Sequence, residues 1–344
     1  MSNLQIGLAV VGGLVLAGVV AHGAWSSRRS EPRQATPQEP TDSHPAHEGI
    51  EPGLGDAAFD VAHFPVPTVE KRPVLDSLID VIAPIALDGL VYGDAALAAM
   101  PPTRRVGSKP FAIEGLNDES NRWETPTAGQ RYSAFQTGVQ LANRTGALNE
   151  IEYSEFVIKT QSFSDAVGGT PDFPEMLDEV ARARELDQFA SAHDAQLDFF
   201  VRARQSAWSP GYVQQNAALL GFVAGAMPGR MVLPASVTGL PPILSLNFDT
   251  QAALAEDPAQ SAIREITLGL DVPQVDRSER AYDRMREAAQ ALAHAMDGLV
   301  TDSNGLPLAG EAMDVFALEL EGMYNTLDER ELSAGSALAR RLFS

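Results

Sequence analysis

The feature that most constrains this chain is an uncharged apolar run at its N-terminus. Residues 1–26 contain no Asp, Glu, Lys or Arg, and the apolar run extends from Leu4 to Trp25. A helix of roughly 20 residues, rising about 1.5 Å per residue, spans the ~30 Å hydrocarbon core of a bilayer. The sequence therefore predicts a transmembrane helix within residues 1–25, with Trp25 as an anchor at the membrane surface.

The positive charges near this run predict its orientation. They follow it, as Arg28, Arg29 and Arg33, whereas a cleaved signal peptide carries its positive charges before the apolar run. Cleavage at residues 21–23 is therefore the less favoured alternative. By the positive-inside rule, the N-terminus lies outside and everything after the span lies in the cytoplasm.

Small residues recur at every fourth position within the predicted span. They are Ala9, Gly13, Ala17 and Ala21. Residues four apart share one helix face, and small side chains let two helices approach closely. The pattern predicts self-association through this face. The alternative is that Ala and Gly are simply common in apolar segments.

Residues 26–73 have the composition of a flexible linker. They contain eight prolines, with polar residues between them and little apolar periodicity before Phe59. Proline fixes φ and removes a backbone donor, so such a stretch is extended and buries no core. His44 and His47 have a spacing that suits a metal ion, but without further preorganised ligands an ordinary linker is the favoured interpretation.

The rest of the chain shows one order of predicted elements twice: strand, helix, three strands, helix. We assign residues 74–195 to a first unit and residues 196–344 to a second. In the first unit, EFVIKTQSF is taken as the last strand and PEMLDEVARARELDQFA as the closing helix. The predicted class is α+β, with two tandem units that each have an antiparallel sheet and helices on one face.

The second unit carries the clearest periodicity. Ile266, Leu268 and Leu270 alternate with polar or small residues, which predicts a strand with one buried face. The following segment keeps the three-and-four spacing of an amphipathic helix. Phe173 and Met176 precede Tyr282 and Met285 of that helix at a constant offset, so the pattern predicts a tandem duplication that pairs PEMLDEVARARELDQFA with this helix.

Charge and composition exclude several function classes. The 46 acidic and 25 basic residues give a net charge of −21, which disfavours a nucleic-acid surface. The chain has no Cys, so cysteine nucleophiles and thiolate metal sites are excluded. No P-loop, GxGxxG, HExxH or GxSxG pattern occurs, and outside the span and linker only His193 and His294 remain. We predict a non-enzymatic protein without cofactor or metal.

The order of parts resembles a known family. An apolar span closing on AHGAWSSRR, a Pro- and Gln-bearing linker and an α+β region resemble the bacterial cell-division ZipA family. In the second unit, EITLGLDVP, then YDRM and ALAHAMDG, then LVTDSNGLPL are similar to the family's strand, Val-Pro turn, helix and Asp-bearing strand. The resemblance covers the membrane end and residues 196–328, and the first unit is a divergent extra copy.

The resemblance implies a tether for FtsZ filaments at the bacterial inner membrane. The C-terminal tail of FtsZ would lie across the helix-free face of the second sheet, and inner-membrane lipid would surround the span. The positions of this chain that match the family's groove are Phe200, Arg202, Met227, Asn247, Asp249, Thr267 and Gly269. Because only two of these are apolar, the groove is expected to be shallower than in the family, more polar, or used differently.

Three other functions stay open. One is a membrane-anchored envelope or scaffold protein that does not bind FtsZ. Another is a membrane-tethered hydrolase that works through paired carboxylates, and the third is a periplasmic protein, if the orientation is reversed.

Overall fold

The computed structural model describes residues 32–35, 75–257 and 260–344. The described residues divide into two compact units, one formed by residues 75–189 and the other by residues from 190 onward together with residues 32–35. The predicted span, its small-residue face and the two linker histidines lie outside the described residues. Among the residues that are described, no helix is long and apolar enough to cross a membrane.

The first unit is built on an antiparallel sheet. Its elements are β1 (Asp80–Tyr92), α1 (Gly93–Ala99), β2 (Arg105–Val106), β3 (Lys109–Asn117), β4 (Trp123–Glu124), β5 (Arg131–Gln140), β6 (Ala142–Asn143), β7 (Gly146–Ala147), α2 (Glu150–Val167), β8 (Gly169–Pro171) and α3 (Met176–His193). The strand order is β2-β3-β5-β1-β8, with β4 paired to β3 and a separate β6–β7 hairpin. Strands β1 and β5 form the long centre of the sheet.

Helix α2 contradicts the sequence prediction, which made EFVIKTQSF a strand. Asn149 caps its N-terminus by accepting from the backbone N–H groups of Ile151 and Glu152, and the Glu152 carboxylate reaches back to Asn149 N–H. Phe156 and Phe163 are buried at helical spacing, and the ring of Phe163 meets Phe135 of the sheet edge-on, with centroids 5.2 Å apart. The capping box and this packing outweigh the β propensity of the aromatic residues.

A buried lysine joins β3 to the β6–β7 hairpin. Lys109 is 1% exposed. Its ammonium donates to Ser108 Oγ at 2.8 Å, Asn143 Oδ1 at 3.1 Å and Thr145 Oγ1 at 3.4 Å. Desolvation lowers the pKa of this lysine, and the nearby carboxylate of Glu152 opposes that shift. The three N–H donors of the ammonium each have an acceptor, so the buried charge is satisfied. This cluster therefore has a structural role.

The second unit has a sheet of the same kind. Its elements are β9 (Gln196–Ala203), α4 (Pro210–Ala218), β10 (Val223–Ala224), β11 (Arg230–Leu233), β12 (Leu244–Asn247), α5 (Thr250–Leu254), β13 (Glu265–Asp271), 3-10 turns at Val272–Gln274 and Arg277–Glu279, α6 (Ala281–Met296), β14 (Gly298–Thr301), α7 (Gly310–Glu329) and α8 (Ala337–Leu342). The antiparallel order is β10-β11-β12-β13-β9-β14.

The alternation predicted for β13 is confirmed. Ile266, Leu268 and Leu270 are at most 2% exposed, whereas the residues between them are half-buried on the other face. Helix α6 covers the apolar face, and its Tyr282 ring lies 6.1 Å from the ring of Phe199. Phe199 and Phe200 point to opposite faces, as neighbouring residues of a strand must.

Four residues of the predicted linker are described with the second unit. Pro32 is buried, and Arg33 forms a parallel bridge with Trp208. Trp208 also forms an antiparallel bridge with Ile263, so a short three-stranded ladder lies outside the main sheet. The structure thus attaches part of the 26–73 stretch to a packed unit.

Candidate functional site

The helix-free face of the second sheet brings together five of the seven residues that match the family's groove, whereas Asp249 caps the N-terminus of α5. Thr267 on β13 lies opposite Phe200 on β9 and opposite Asn247 on β12. Arg202 and Gly269 extend this surface along β9 and β13. Directly opposed residues in antiparallel strands have their Cβ atoms about 4.5–5.5 Å apart. We call this surface the open face; it is a continuous row of side chains across three strands.

Phe200 is the aromatic centre of the open face. It is half-buried, and Thr267 and Thr301 lie beside it on the two neighbouring strands. The guanidinium carbon of Arg202 lies 5.8 Å from the ring centroid, within the range of a cation–π contact. Phe200 thus presents part of its ring to solvent while its position is fixed by neighbours on both sides.

Arg202 does not supply the free positive charge that strand alternation suggests. Its Nε donates to Glu265 Oε2 at 2.5 Å, and its Nη2 donates to the carbonyl of Ser303 at 3.4 Å. Arg204 follows the end of β9, and its Nε donates to the carbonyl of Gly298 at 3.0 Å. Both arginines therefore serve contacts within the unit.

A tight turn borders the open face next to Arg202. Asp302 accepts from the backbone N–H groups of Asn304 and Leu306 at 2.9 and 2.8 Å. Gly305 has φ of 83°, and a Cβ there would collide with the guanidinium of Arg202. Asn304 and Gly305 form this turn after the short strand β14, and the positive φ at position 305 favours glycine there.

The other end of the open face, around Gly269, is polar, and this glycine has no side chain to cover the strand backbone. Gly269 sits between Ser245 on β12 and Asp198 on β9. A Cβ at Gly269 would lie 2.8 Å from Ser245 Oγ and 3.0 Å from Asp198 Oδ1. Partial desolvation raises the pKa of the Asp198 carboxyl. A ligand would meet backbone, hydroxyl and carboxylate groups here.

Met227 does not lie on the open face. It belongs to the turn between β10 and β11, is 57% exposed and faces an open groove of about 540 Å³. The lining of this groove includes Met227, Val232, Pro234, Val237, Leu240 and Pro242. We call it the loop groove. The groove is not predicted by the sequence pattern, although the spaced apolar residues between β11 and β12 were a signal for it.

The loop groove adjoins the open face through β11. Arg230 and Val232 line the groove, and they lie opposite Asn247 and Ser245 of β12. Arg230 is exposed. Adjacent strands lie about 4.8 Å apart, so three strand spacings separate Phe200 from Arg230 by about 14 Å. An extended segment of about five residues covers that distance at ~3.3 Å per residue.

The described residues offer no group of three or more His, Cys, Asp or Glu side chains that could hold a metal ion. The site consists of one aromatic ring, an apolar groove and polar groups along strand backbones. Such an arrangement suits noncovalent capture of an extended peptide.

Comparison with known proteins bears on the second unit. Residues 248–317 match the family model of the ZipA C-terminal FtsZ-binding domain. The match supports a ZipA-like protein. The matched segment runs from the end of β12 through β13, α6 and β14 into α7. It contains Thr267 and Gly269, whereas Phe200 and Met227 precede it. ZipA itself is a non-enzymatic cell-division protein.

Solved structures add little. The berberine bridge enzyme from Eschscholzia californica matches with 10% identity, covering 77% of this chain and 53% of that enzyme, at a TM-score of 0.17. A variant of berberine bridge enzyme, described as a reticuline dehydrogenase, also matches at a TM-score of 0.17 with 54% of that chain covered. This chain thus spans about half the length of these two proteins. At a TM-score of 0.17, the similarity supports no conclusion about fold or function. No curated protein matches the chain.

Proposed function

We propose that this chain tethers FtsZ filaments to the bacterial inner membrane by binding the FtsZ C-terminal tail. The observation that carries the proposal is the match of residues 248–317 to an FtsZ-binding domain, in a unit whose sheet leaves one face uncovered. The apolar N-terminal run supplies the membrane anchor, with the N-terminus in the periplasm. The small-residue face formed by Ala9, Gly13, Ala17 and Ala21 would pair two such anchors.

The open face and the loop groove together define the peptide that would fit. One apolar side chain packs on Phe200, and a second enters the loop groove beside Met227. The segment between them follows the polar row, where Thr267 and Asn247 offer hydrogen bonds. Arg230, rather than Arg202, is the cation placed to pair with an acidic residue of the tail.

Titration of a labelled FtsZ tail peptide against the full chain tests this site. Removing a central aromatic anchor typically costs 2 kcal/mol or more, so Phe200→Ala should weaken binding at least roughly 30-fold. Arg230→Glu should weaken binding most at low salt, because an exposed pair is screened as ionic strength rises. Each variant's thermal unfolding should stay near that of the parent chain.

Arg104→Glu is a matched charge control for Arg230→Glu. Arg104 is exposed and belongs to the first unit, which contributes no residue to the proposed site. It should leave peptide affinity unchanged. Wild-type affinity in both Phe200→Ala and Arg230→Glu would refute the proposed site. No binding by the parent chain would favour an envelope or scaffold protein that does not bind FtsZ.

A further inference from the structure

The short ladder around Trp208 has Arg33 bonded along one edge and Ile263 along the other. Trp208 is fully buried, and its indole Nε1 donates to the carbonyl of Met296 at 2.8 Å. On one side its backbone exchanges two hydrogen bonds of 2.8 Å with Ile263. On the other side, the backbone of Arg33 bonds to Ala207 and Ser209. An edge of this kind binds extended peptides by strand addition.

The contacts of residues 32–35 have the features of a specific ligand. Arg33 N–H donates to the carbonyl of Ala207 at 2.7 Å, and Ser209 N–H donates to the carbonyl of Arg33 at 2.8 Å. Ser209 is 2% exposed, so this buried N–H group would be costly to leave unsatisfied.

The side chains of the segment add selectivity to the backbone bonds. The Arg33 guanidinium pairs with Asp297 Oδ2 at 3.0 Å, and Pro32 is buried. Asp297 is held in the left-handed conformation, with φ of 54°, where α6 ends. A Pro-Arg segment therefore gains one buried ring and one ion pair here.

We infer that residues 32–35 are the resident ligand of the Trp208 edge and hold the second unit next to the N-terminal anchor. Only six residues separate Trp25 from Pro32. Fully extended, that stretch reaches at most about 25 Å. The partner-binding unit thus stays at the membrane surface, and the rest of the linker connects it to the first unit without extending its reach. The membrane part of this inference rests on the proposed function; the docking of residues 32–35 does not.

Disulfide trapping tests the docking, because the chain has no cysteine of its own. A Cβ built on Gly211 would lie 3.7 Å from the Cβ of Ala35, which matches the usual Cβ–Cβ distance of about 3.8 Å in disulfides. The full chain carrying Ala35→Cys and Gly211→Cys, in detergent and treated with copper–phenanthroline, should form a cross-link within one chain. Gel mobility and peptide mapping by mass detect it.

The matched control pairs Ala35→Cys with Ala218→Cys. Ala218 is exposed on the same helix, seven residues or about 10 Å further along. The Gly211 pair should oxidise on the order of tenfold faster than this control. Equal rates would overturn the inference, and so would a cross-link between two chains at Gly211, because a second copy would then supply the strand. Neither outcome depends on FtsZ or on lipid.

Discussion

At the scale of single residues, the partners of a charged side chain decide what it can do for a ligand. Arg202 lies on the open face, as strand alternation indicates, yet its guanidinium is shared by Glu265, the ring of Phe200 and the Ser303 carbonyl. Its replacement by Glu would place two carboxylates side by side and disturb the sheet itself. Arg230 is therefore the more informative position for a charge reversal.

Tyr324 makes the folding stability of the second unit depend on pH in the alkaline range. It is 6% exposed on α7, and the Arg277 guanidinium lies over its ring at 5.5 Å. Burial, assisted by the charge of Glu321, raises the pKa of Tyr324 to about 12. An unfolded tyrosine ionises near pH 10. This contribution to stability should therefore be complete below about pH 10 and be lost as the pH rises through about 12.

Tyr324→Phe removes the ionisable hydroxyl and should flatten this dependence. Between about pH 8 and about pH 12, the parent chain should lose up to roughly 2 kcal/mol of unfolding free energy more than the variant. Denaturant titrations at both pH values measure the difference. Tyr92→Phe, at a position 63% exposed, is the control and should behave as the parent does. If the unfolding free energy falls equally with pH in the parent chain and in Tyr324→Phe, the prediction is contradicted.

At the scale of elements, caps and packing decide where propensity is ambiguous. EFVIKTQSF contains aromatic and β-branched residues typical of strands, yet it lies inside α2. The capping box at Asn149 and Glu152 starts the helix, and the sheet buries its apolar face. This changes which elements of the first unit correspond to which elements of the second. In sequence and in place beside the sheet, α2 is the counterpart of α6, and the pairing of α6 with PEMLDEVARARELDQFA is wrong.

Strand β13 offers a direct test of its two faces. Leu268 is fully buried, so Leu268→Ala should lower the free energy of unfolding by ~2–5 kcal/mol, the range for a new core cavity. Thr267→Ala, one residue away on the open face, should cost far less. Denaturant titrations of the two variants compare them. Equal losses would mean that the strand does not separate a core face from a solvent face.

At the scale of the whole molecule, the two units share one connectivity. The order β2-β3-β5-β1-β8 in the first sheet corresponds element by element to β11-β12-β13-β9-β14 in the second. In each, the first strand lies second from one end of the sheet, and the strand after the core helix pairs beside it at the edge. Duplication of one unit is the simplest source of two such sheets in one chain.

The full chain should hold filaments better than it holds single tails. Binding through one aromatic ring and a shallow groove is expected to be on the order of micromolar. Many anchored copies facing many tails raise the effective affinity by 10²-fold or more, on the order given for linked sites. Vesicles carrying the full chain should therefore float with FtsZ filaments and release them when the filaments depolymerise.

Vesicles carrying Phe200→Ala should leave the filaments in the pellet. A chain lacking residues 1–25 should bind the peptide with unchanged affinity and recruit nothing to vesicles. Filament capture by Phe200→Ala vesicles equal to that of the parent would contradict a site centred on this ring.

The sequence by itself determined the α+β class, the two faces of β13 and the amphipathic helix after it. Each of these depends on local spacing, which a single strand or helix expresses without its neighbours. Alternation also put Thr267 and Gly269 on the face opposite the buried residues of β13, whereas the placement of Phe200 and Asn247 beside them came from the family resemblance.

Only the tertiary structure decided which groups meet across strands and loops. The Arg202–Glu265 pair, the loop groove beside Met227 and the docking of Arg33 on Trp208 join residues far apart in sequence. Local pattern carries no information about such distances, since register and loop path depend on the packing of the whole unit. The helical state of α2 belongs here too, because burial of its apolar face against the sheet settled what its composition left ambiguous.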